Sequence, residues 1–336
     1  MNTAVKNIDL PERIFTATTG SFNSLALEVF HYQYSNNAIY RQYCQTLKVM
    51  ADRIDSVEKI PFLPINFFKT HSITTTEFTP ATIFESSGTT QTINSKHLIK
   101  DISLYETSFT KCFNLFYGKP EEWCIIALLP SYLERNNSSL VLMADKLIQQ
   151  SKHPQSGFYL QDTAALYEAL MSLENKQQKT LLIGVTFALL DFAEKYSLPL
   201  QYTTVMETGG MKGRRKEMTR QEVHSTLCKN FQVQNIHSEY GMTELLSQAY
   251  SKGDGIFNCP PWMKILIRDE DDPLTVHAST QNKIVSGAIN IIDLANIYSC
   301  SFIATEDAGK LFPDDSFEVL GRLDNSDIRG CSLLVL

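Results

Sequence analysis

The sequence predicts an α/β protein in which a mostly parallel sheet, covered by helices on both faces, is joined to a smaller β-rich subdomain. Three observations lead there. Short, continuous apolar runs such as Trp123 to Leu129 and Leu181 to Val185 suit strands buried on both faces. Between them lie stretches whose apolar residues recur every three or four positions, the period of a helix buried along one side. After about residue 254 that period fades and strand-like segments follow one another.

Taken in order, residues 22–56 read as helical. Leu25, Leu27, Val29, Phe30 and Tyr34 are followed by Ile39, Tyr40, Tyr43 and Leu47, until Pro61 and Pro64 stop the run. Ile102, Tyr105, Phe109, Phe113 and Phe116 mark one buried helix face, and the apolar run from Trp123 ends at Pro130. Helix-like 139–150, the short strand Phe158 to Leu160, helix-like 162–174, strand-like Leu181 to Val185 and helix-like 187–196 then alternate. Thr203 to Met206 runs into Gly209-Gly210, helix-like 217–230 follows, and Val233 to Ser238 leads into the Tyr240-Gly241 turn. Alternation at this spacing implies a parallel sheet, whose ligands collect at the carboxyl ends of the strands. Met263 to Arg268, Lys283 to Leu294 and Ser301 to Ala304 read as the strands of the β-rich part.

Composition excludes several classes. With 43% hydrophobic and 20% charged residues the chain is of ordinary globular make-up. A net charge of −7 argues against nucleic-acid or anionic-membrane partners, and Lys212 to Lys216 reads as a solvated basic turn. No run approaches 18 apolar residues and no secretory signal is visible, so neither stable membrane insertion nor export is expected. Seven cysteines without a Cys-x-x-Cys pair suit reduced thiols and a cytoplasmic location. His97, His153, His224, His237 and His277 show no metal spacing, and His237 either lines a pocket or packs. Gly-x-Ser-x-Gly, Walker and Gly-x-Gly-x-x-Gly motifs are missing, so esterase, P-loop ATPase and dehydrogenase readings lack their signatures.

Two stretches carry chemistry. Glu85-Ser86-Ser87-Gly88-Thr89-Thr90 offers hydroxyls and backbone N–H groups to phosphates, although a plain Ser/Gly/Thr turn would use the same string. Glu239-Tyr240-Gly241-Met242-Thr243-Glu244 ends in a carboxylate suited to Mg²⁺. In this order they resemble the phosphate loop and nucleotide motif of the adenylate-forming superfamily: acyl-CoA synthetases, luciferases and peptide-synthetase adenylation domains. Ala304-Thr305-Glu306-Asp307 stands where that superfamily has Thr-Gly-Asp, and Gly321-Arg322-Leu323-Asp324 where it has its Gly-Arg-x-Asp hinge. The loop departs from the usual Gly-x-Pro-Lys continuation, reading Gln91-Thr92-Ile93-Asn94, and the usual C-terminal lysine domain is absent from this sequence.

A narrower resemblance covers almost the whole chain. Ile60 to Lys69, the Ser-Ser-Gly-Thr-Thr loop, Leu129 to Arg135, Gly209-Gly210-Met211-Lys212 and the tail Arg329 to Leu334 are similar to the LuxE family of acyl-protein synthetases. The resemblance implies the N-terminal core of the adenylate-forming fold. It implies organisation into a helical region over 1–75, a nucleotide- and acyl-binding core over 76–254, a β-rich subdomain over 255–320 and a hinge-like tail over 321–336.

It also implies roles. Ser86, Ser87, Gly88, Thr89 and Thr90 would wrap the phosphates of ATP, Tyr240 beside Gly241 would pack on adenine, Thr243 would contact the α-phosphate and Glu244 would hold Mg²⁺. Asp307 would accept from ribose hydroxyls with Arg322 behind it, for which a surface ion pair is the competing reading. Gly209-Gly210 would let the backbone approach a flat base, or would form a tight turn. Lys212, directly after that pair, would offset charge in place of the missing lysine, or is simply solvated. Cys331 resembles in position the acyl-carrying cysteine of the family, with Arg329 favouring its thiolate; a tail strand docked in the core is the alternative.

The expected function is ATP-dependent activation of a carboxylic acid, by resemblance a fatty acid, as acyl-AMP, followed by transfer to Cys331 and on to a protein acceptor such as a reductase or carrier. An acyl- or aryl-CoA ligase using coenzyme A and a non-catalytic nucleotide-binding relative are the alternatives.

Overall fold

A computed structural model describes residues 10–86, 93–130, 137–210, 218–280 and 283–323. Five strands form the parallel half of its large sheet, in the spatial order Gly157–Phe158, Cys124–Leu128, Thr180–Gly184, Thr203–Glu207, His237–Tyr240. Helices Ser139–Ser151, Thr163–Asn175, Thr186–Lys195 and Arg220–Phe231 carry the crossovers between them. Every residue of Cys124–Leu128 and of Thr180–Gly184 is buried, as strands covered on both faces must be.

Beyond His237–Tyr240 the same sheet continues antiparallel through Ala249–Ser251, Ile256–Asn258, Phe317–Arg322, Phe302–Leu311, Val285–Asp293, Met263–Arg268 and Val276–His277. Leu63–Pro64 adds a short parallel pairing to Phe302–Leu311, and Thr82–Glu85 with Lys96–Ile99 forms a separate antiparallel hairpin. The structure is therefore the mixed α/β arrangement expected, and the change from parallel to antiparallel pairing falls at the Tyr-Gly motif. Among the described residues no helix is long and apolar enough to cross a membrane.

Two local readings need correction. The helical run over 22–56 is two helices, Thr19–Asn36 and Ala38–Thr46. Asn37 divides them: its backbone is extended, its side chain accepts from the Tyr40 N–H at 2.9 Å, and its Nδ2 donates to the Ser299 carbonyl at 3.0 Å. The strand expected to end at Ala304 runs on to Leu311: Val285–Asp293 pairs with it on either side of an irregularity at Thr305 to Asp307, and Phe317–Arg322 pairs with it from Asp307 onward. Helix Ile102–Tyr117 forms as expected, and of the face read from the sequence Tyr105, Phe109 and Phe113 are buried while Ile102 and Phe116 are half-buried; Asp101 caps its start, and Gly118 at φ 83° ends it.

Candidate functional site

The Ser/Thr loop springs from the separate hairpin. Glu85 lies opposite Lys96, and Ser86 closes the base. Its N–H donates to the Ser95 carbonyl at 3.1 Å and its Oγ accepts from the Ser95 N–H at 2.9 Å. Asn137 braces the neighbouring residue, its Nδ2 donating to Glu85 Oε2 at 2.8 Å. Ser87, Gly88, Thr89 and Thr90 lie outside the described residues, as do Lys212 and Cys331.

Tyr240 ends its strand at the middle of the large sheet, and its hydroxyl donates to Asp307 Oδ2 at 2.8 Å. Asp307 lies directly opposite Arg322 in the antiparallel pairing, which sets Arg322 Nε 3.5 Å from Asp307 Oδ1 and Nη1 3.3 Å from Glu306 Oε2. Asn66 donates to the other oxygen of Glu306, and Arg268 Nη2 donates to the Thr305 carbonyl at 2.5 Å. Tyr240, Asp307 and Arg322 thus meet as one chain of contacts. The Arg322 side chain is only 22% exposed, so it is no loose surface ion pair.

Asp307 is itself buried, which raises its carboxyl above the ordinary carboxylate value, while Arg322 and the Tyr240 hydroxyl draw it down. A carboxylate offers about four acceptor sites, so one hydroxyl and one guanidinium leave capacity for further donors.

The turn after Tyr240 is held from three directions. A side chain at Gly241 would collide with the Glu239 carboxylate. The Thr243 carbonyl accepts from His97 Nδ1 at 2.9 Å and the Glu244 carbonyl from Asn296 Nδ2 at 2.8 Å. Asp293 accepts from the N–H groups of Leu246 and Ser247 at 2.8 and 3.0 Å and from Ser247 Oγ at 2.6 Å. Glu244 is 3% exposed, which removes the reading of a surface glutamate.

A carboxylate so deep needs a cation or donors around it. Mg²⁺ is commonly held by one or two carboxylates plus substrate phosphates, so a single protein ligand fits that ion. No group of three or more His, Cys, Asp or Glu able to hold a metal occurs among the described residues.

Gly209 and Gly210 have φ of 72° and 91°, a backbone that favours glycine. Their carbonyls accept from the N–H groups of Thr186 and Phe187 at 3.0 and 3.4 Å, satisfying the free donors at the start of helix Thr186–Lys195. The turn is thus present, and among the described residues a Cβ at Gly210 would meet nothing within 4 Å.

Glu207 locks this corner. Its Oε2 accepts from the Gly209 N–H at 2.7 Å and from Thr186 Oγ1 at 3.0 Å, and its Oε1 lies 3.6 Å from His224 Nε2. Burial alone would raise its carboxyl, but hydrogen bonds from His224, Ser238 and the Gly209 N–H outweigh it and bring it to about 2. Nearby Glu239 shows the reverse. Burial, then repulsion from Glu207, pushes it up to about 8. His237 shares a 3.1 Å hydrogen bond with the Tyr117 hydroxyl, and burial brings it down to about 4, so it packs as a neutral ring.

Glu207, Asp293, Asn296 and His97 carry no motif and were missed in the sequence. The one signal was an acid closing a buried strand two residues before Gly-Gly, at Glu207.

No curated protein matches the chain. Among solved structures, ATP-bound MatB from Rhodopseudomonas palustris superposes with a TM-score of 0.50 at 14% identity, covering 71% of this chain and 47% of that one. An ATP-bound RpMatB-BxBclM chimera gives 0.50 at 16% identity, with 71% and 47% covered. The chain spans about half the length of these solved structures. The likeness shows the fold, that of the N-terminal core of adenylate-forming enzymes. A family model described as "Acyl-protein synthetase, LuxE" matches residues 17–336, and the chain belongs to that family.

Proposed function

We propose that the chain activates a carboxylic acid with ATP, and that the acyl group then passes to Cys331 and on to an acceptor protein. The observation that carries this reading is the contact chain from Tyr240 through Asp307 to Arg322. In this reading Asp307 would offer its remaining acceptor capacity to vicinal hydroxyls, near the turn that bears Thr243 and Glu244. Family membership and the fold shared with ATP-bound MatB support it.

In the first step a carboxylate oxygen of the acid attacks the α-phosphorus of ATP and pyrophosphate leaves, giving acyl-AMP. Ser86 and the loop it closes would hold phosphate oxygens by hydroxyl and N–H donors. Mg²⁺ would neutralise phosphate charge, with Glu244 as its protein ligand. Asp307 would hold the ribose, and the Gly209-Gly210 corner, fixed by Glu207, would border the base or the acid.

In the second step a thiolate attacks the acyl carbonyl and AMP leaves, giving a thioester. The six described thiols are ill suited to that role. Burial pushes Cys44 to about 12 and Cys124 to about 11, and Cys112, Cys228, Cys259 and Cys300 are raised as well. A fatty acid is the proposed substrate and a reductase or carrier protein the proposed acceptor, both from the family.

The test is the intact mass of the protein after incubation with Mg-ATP and a panel of carboxylic acids, beside Cys331→Ser. A hydroxylamine-sensitive acyl adduct on wild type alone is expected. Turnover that instead requires coenzyme A and survives Cys331→Ser would assign a CoA ligase.

A further inference from the structure

The hairpin that bears the Ser/Thr loop and the turn that bears Thr243 and Glu244 belong to different sheets. A phosphate held by one and a metal held by the other need a fixed spacing, since small misplacements in such sites cost rate. Between the two stands His97, on the strand Lys96–Ile99 that leaves the loop. It is 1% exposed, paired in register with Phe84, and packed edge-on against Phe68 with ring centroids 5.6 Å apart.

Its Nδ1 lies 2.9 Å from the Thr243 carbonyl, across 146 residues of chain. A carbonyl only accepts, so Nδ1 carries the hydrogen and the tautomer is set by the partner.

We propose that His97 is a positioning residue whose Nδ1–H holds the Thr243 backbone and so sets the spacing between the hairpin Thr82–Glu85 with Lys96–Ile99 and the Thr-Glu end of the turn. This rests on the reading above that those two elements bind Mg-ATP. The ring suits the task. Burial holds it down at about 4, so it stays neutral with one fixed donor throughout the physiological range. The rest of the turn is anchored by other elements, Asn296 on the Glu244 carbonyl and Asp293 on the Leu246 and Ser247 N–H groups. Among the described residues, His97 ties the turn to the loop's own hairpin.

Two substitutions separate the hydrogen bond from packing. His97→Phe fills the space and removes the donor. His97→Asn places an amide N–H near the Nδ1 position but leaves a small void. Both are compared with wild type by hydrogen–deuterium exchange of segment 242–248 and by acid-dependent ATP–pyrophosphate exchange in the full chain. Expected are faster deuteration of that segment and an about tenfold loss in kcat/KM for Mg-ATP with His97→Phe, the size of one lost hydrogen bond, with His97→Asn close to wild type.

The reverse ranking, with Phe near wild type and Asn impaired, would make His97 a packing residue and overturn the proposal. Wild-type deuteration of 242–248 in His97→Phe would overturn it too. A wild type without pyrophosphate exchange on any acid would overturn both the functional reading and the spacing role, whereas deuteration would still report on the bond itself.

Discussion

Replacing Glu207 with glutamine keeps the shape of the side chain and removes its charge. The carboxylate is 8% exposed and its Oε2 accepts 2.7 and 3.0 Å hydrogen bonds from Gly209 and Thr186. Its folded value of about 2, against an ordinary 4.5, means that the fold prefers the ionised form. That difference corresponds to about 3 kcal/mol of stability, present above the unfolded value and lost as the pH falls through the folded one.

The comparison is cleanest at about pH 5, where Glu207 is mostly ionised even when unfolded and Glu239 is protonated in the folded protein. Urea unfolding of wild type and Glu207→Gln at that pH, with the m-value unchanged, should show the variant less stable by about 3 kcal/mol. Between about pH 4.5 and 2 wild type alone should lose this increment, so the two curves converge. Toward about pH 8 the gap should narrow from the other side, because without Glu207 beside it Glu239 ionises at less cost. A variant within about 1 kcal/mol of wild type at pH 5, or parallel acid curves, would refute the account of this corner.

Other outcomes follow from the same geometry. Glu239 is held above its unfolded value, so its contribution is complete below about pH 4.5 and is lost as pH rises toward 8; Glu239→Gln should raise the melting temperature at alkaline pH and change it little at about pH 5. Asp307→Asn should weaken Mg-ATP binding about tenfold or more, and Tyr240→Phe by less, since hydrogen bonds to a charged group carry about 1.5–3 kcal/mol; isothermal titration measures both. Asp293→Ala leaves three backbone N–H groups and the Ser247 hydroxyl without their acceptor and should cost at least about 3 kcal/mol in urea unfolding.

Much of the parallel half was legible because its strands and helices announce themselves locally. Cys124–Leu128 and Thr180–Gly184 are continuous apolar or small runs, and helix Ile102–Tyr117 repeats its aromatic residues at the helical period. The strand Phe302–Leu311 was only half visible. Thr305, Glu306, Asp307 and Gly309 look like loop residues, yet Phe302–Leu311 pairs on both sides, and Gly309 is needed where a Cβ would strike the Glu318 carbonyl and the Ile289 side chain. The helix break at Asn37 was hidden for a similar reason, since its side chain is fixed partly by Ser299.

The kinds of residue that could handle a nucleotide, namely the Ser/Thr loop, Tyr240, Thr243, Glu244, Asp307 and Arg322, were determined by the sequence itself, as was the alternation that demands a covered parallel sheet. Which of them touch was decided only by the tertiary structure. Tyr240 reaches Asp307 across 67 residues, and His97 reaches Thr243 across 146. Period and composition report the face that an element buries. The charge of Glu207, the neutrality of His97 and the shared proximity of Asp307 and Arg322 depend instead on desolvation and on partners brought from elsewhere in the chain, and these exist only once the sheet has closed its register.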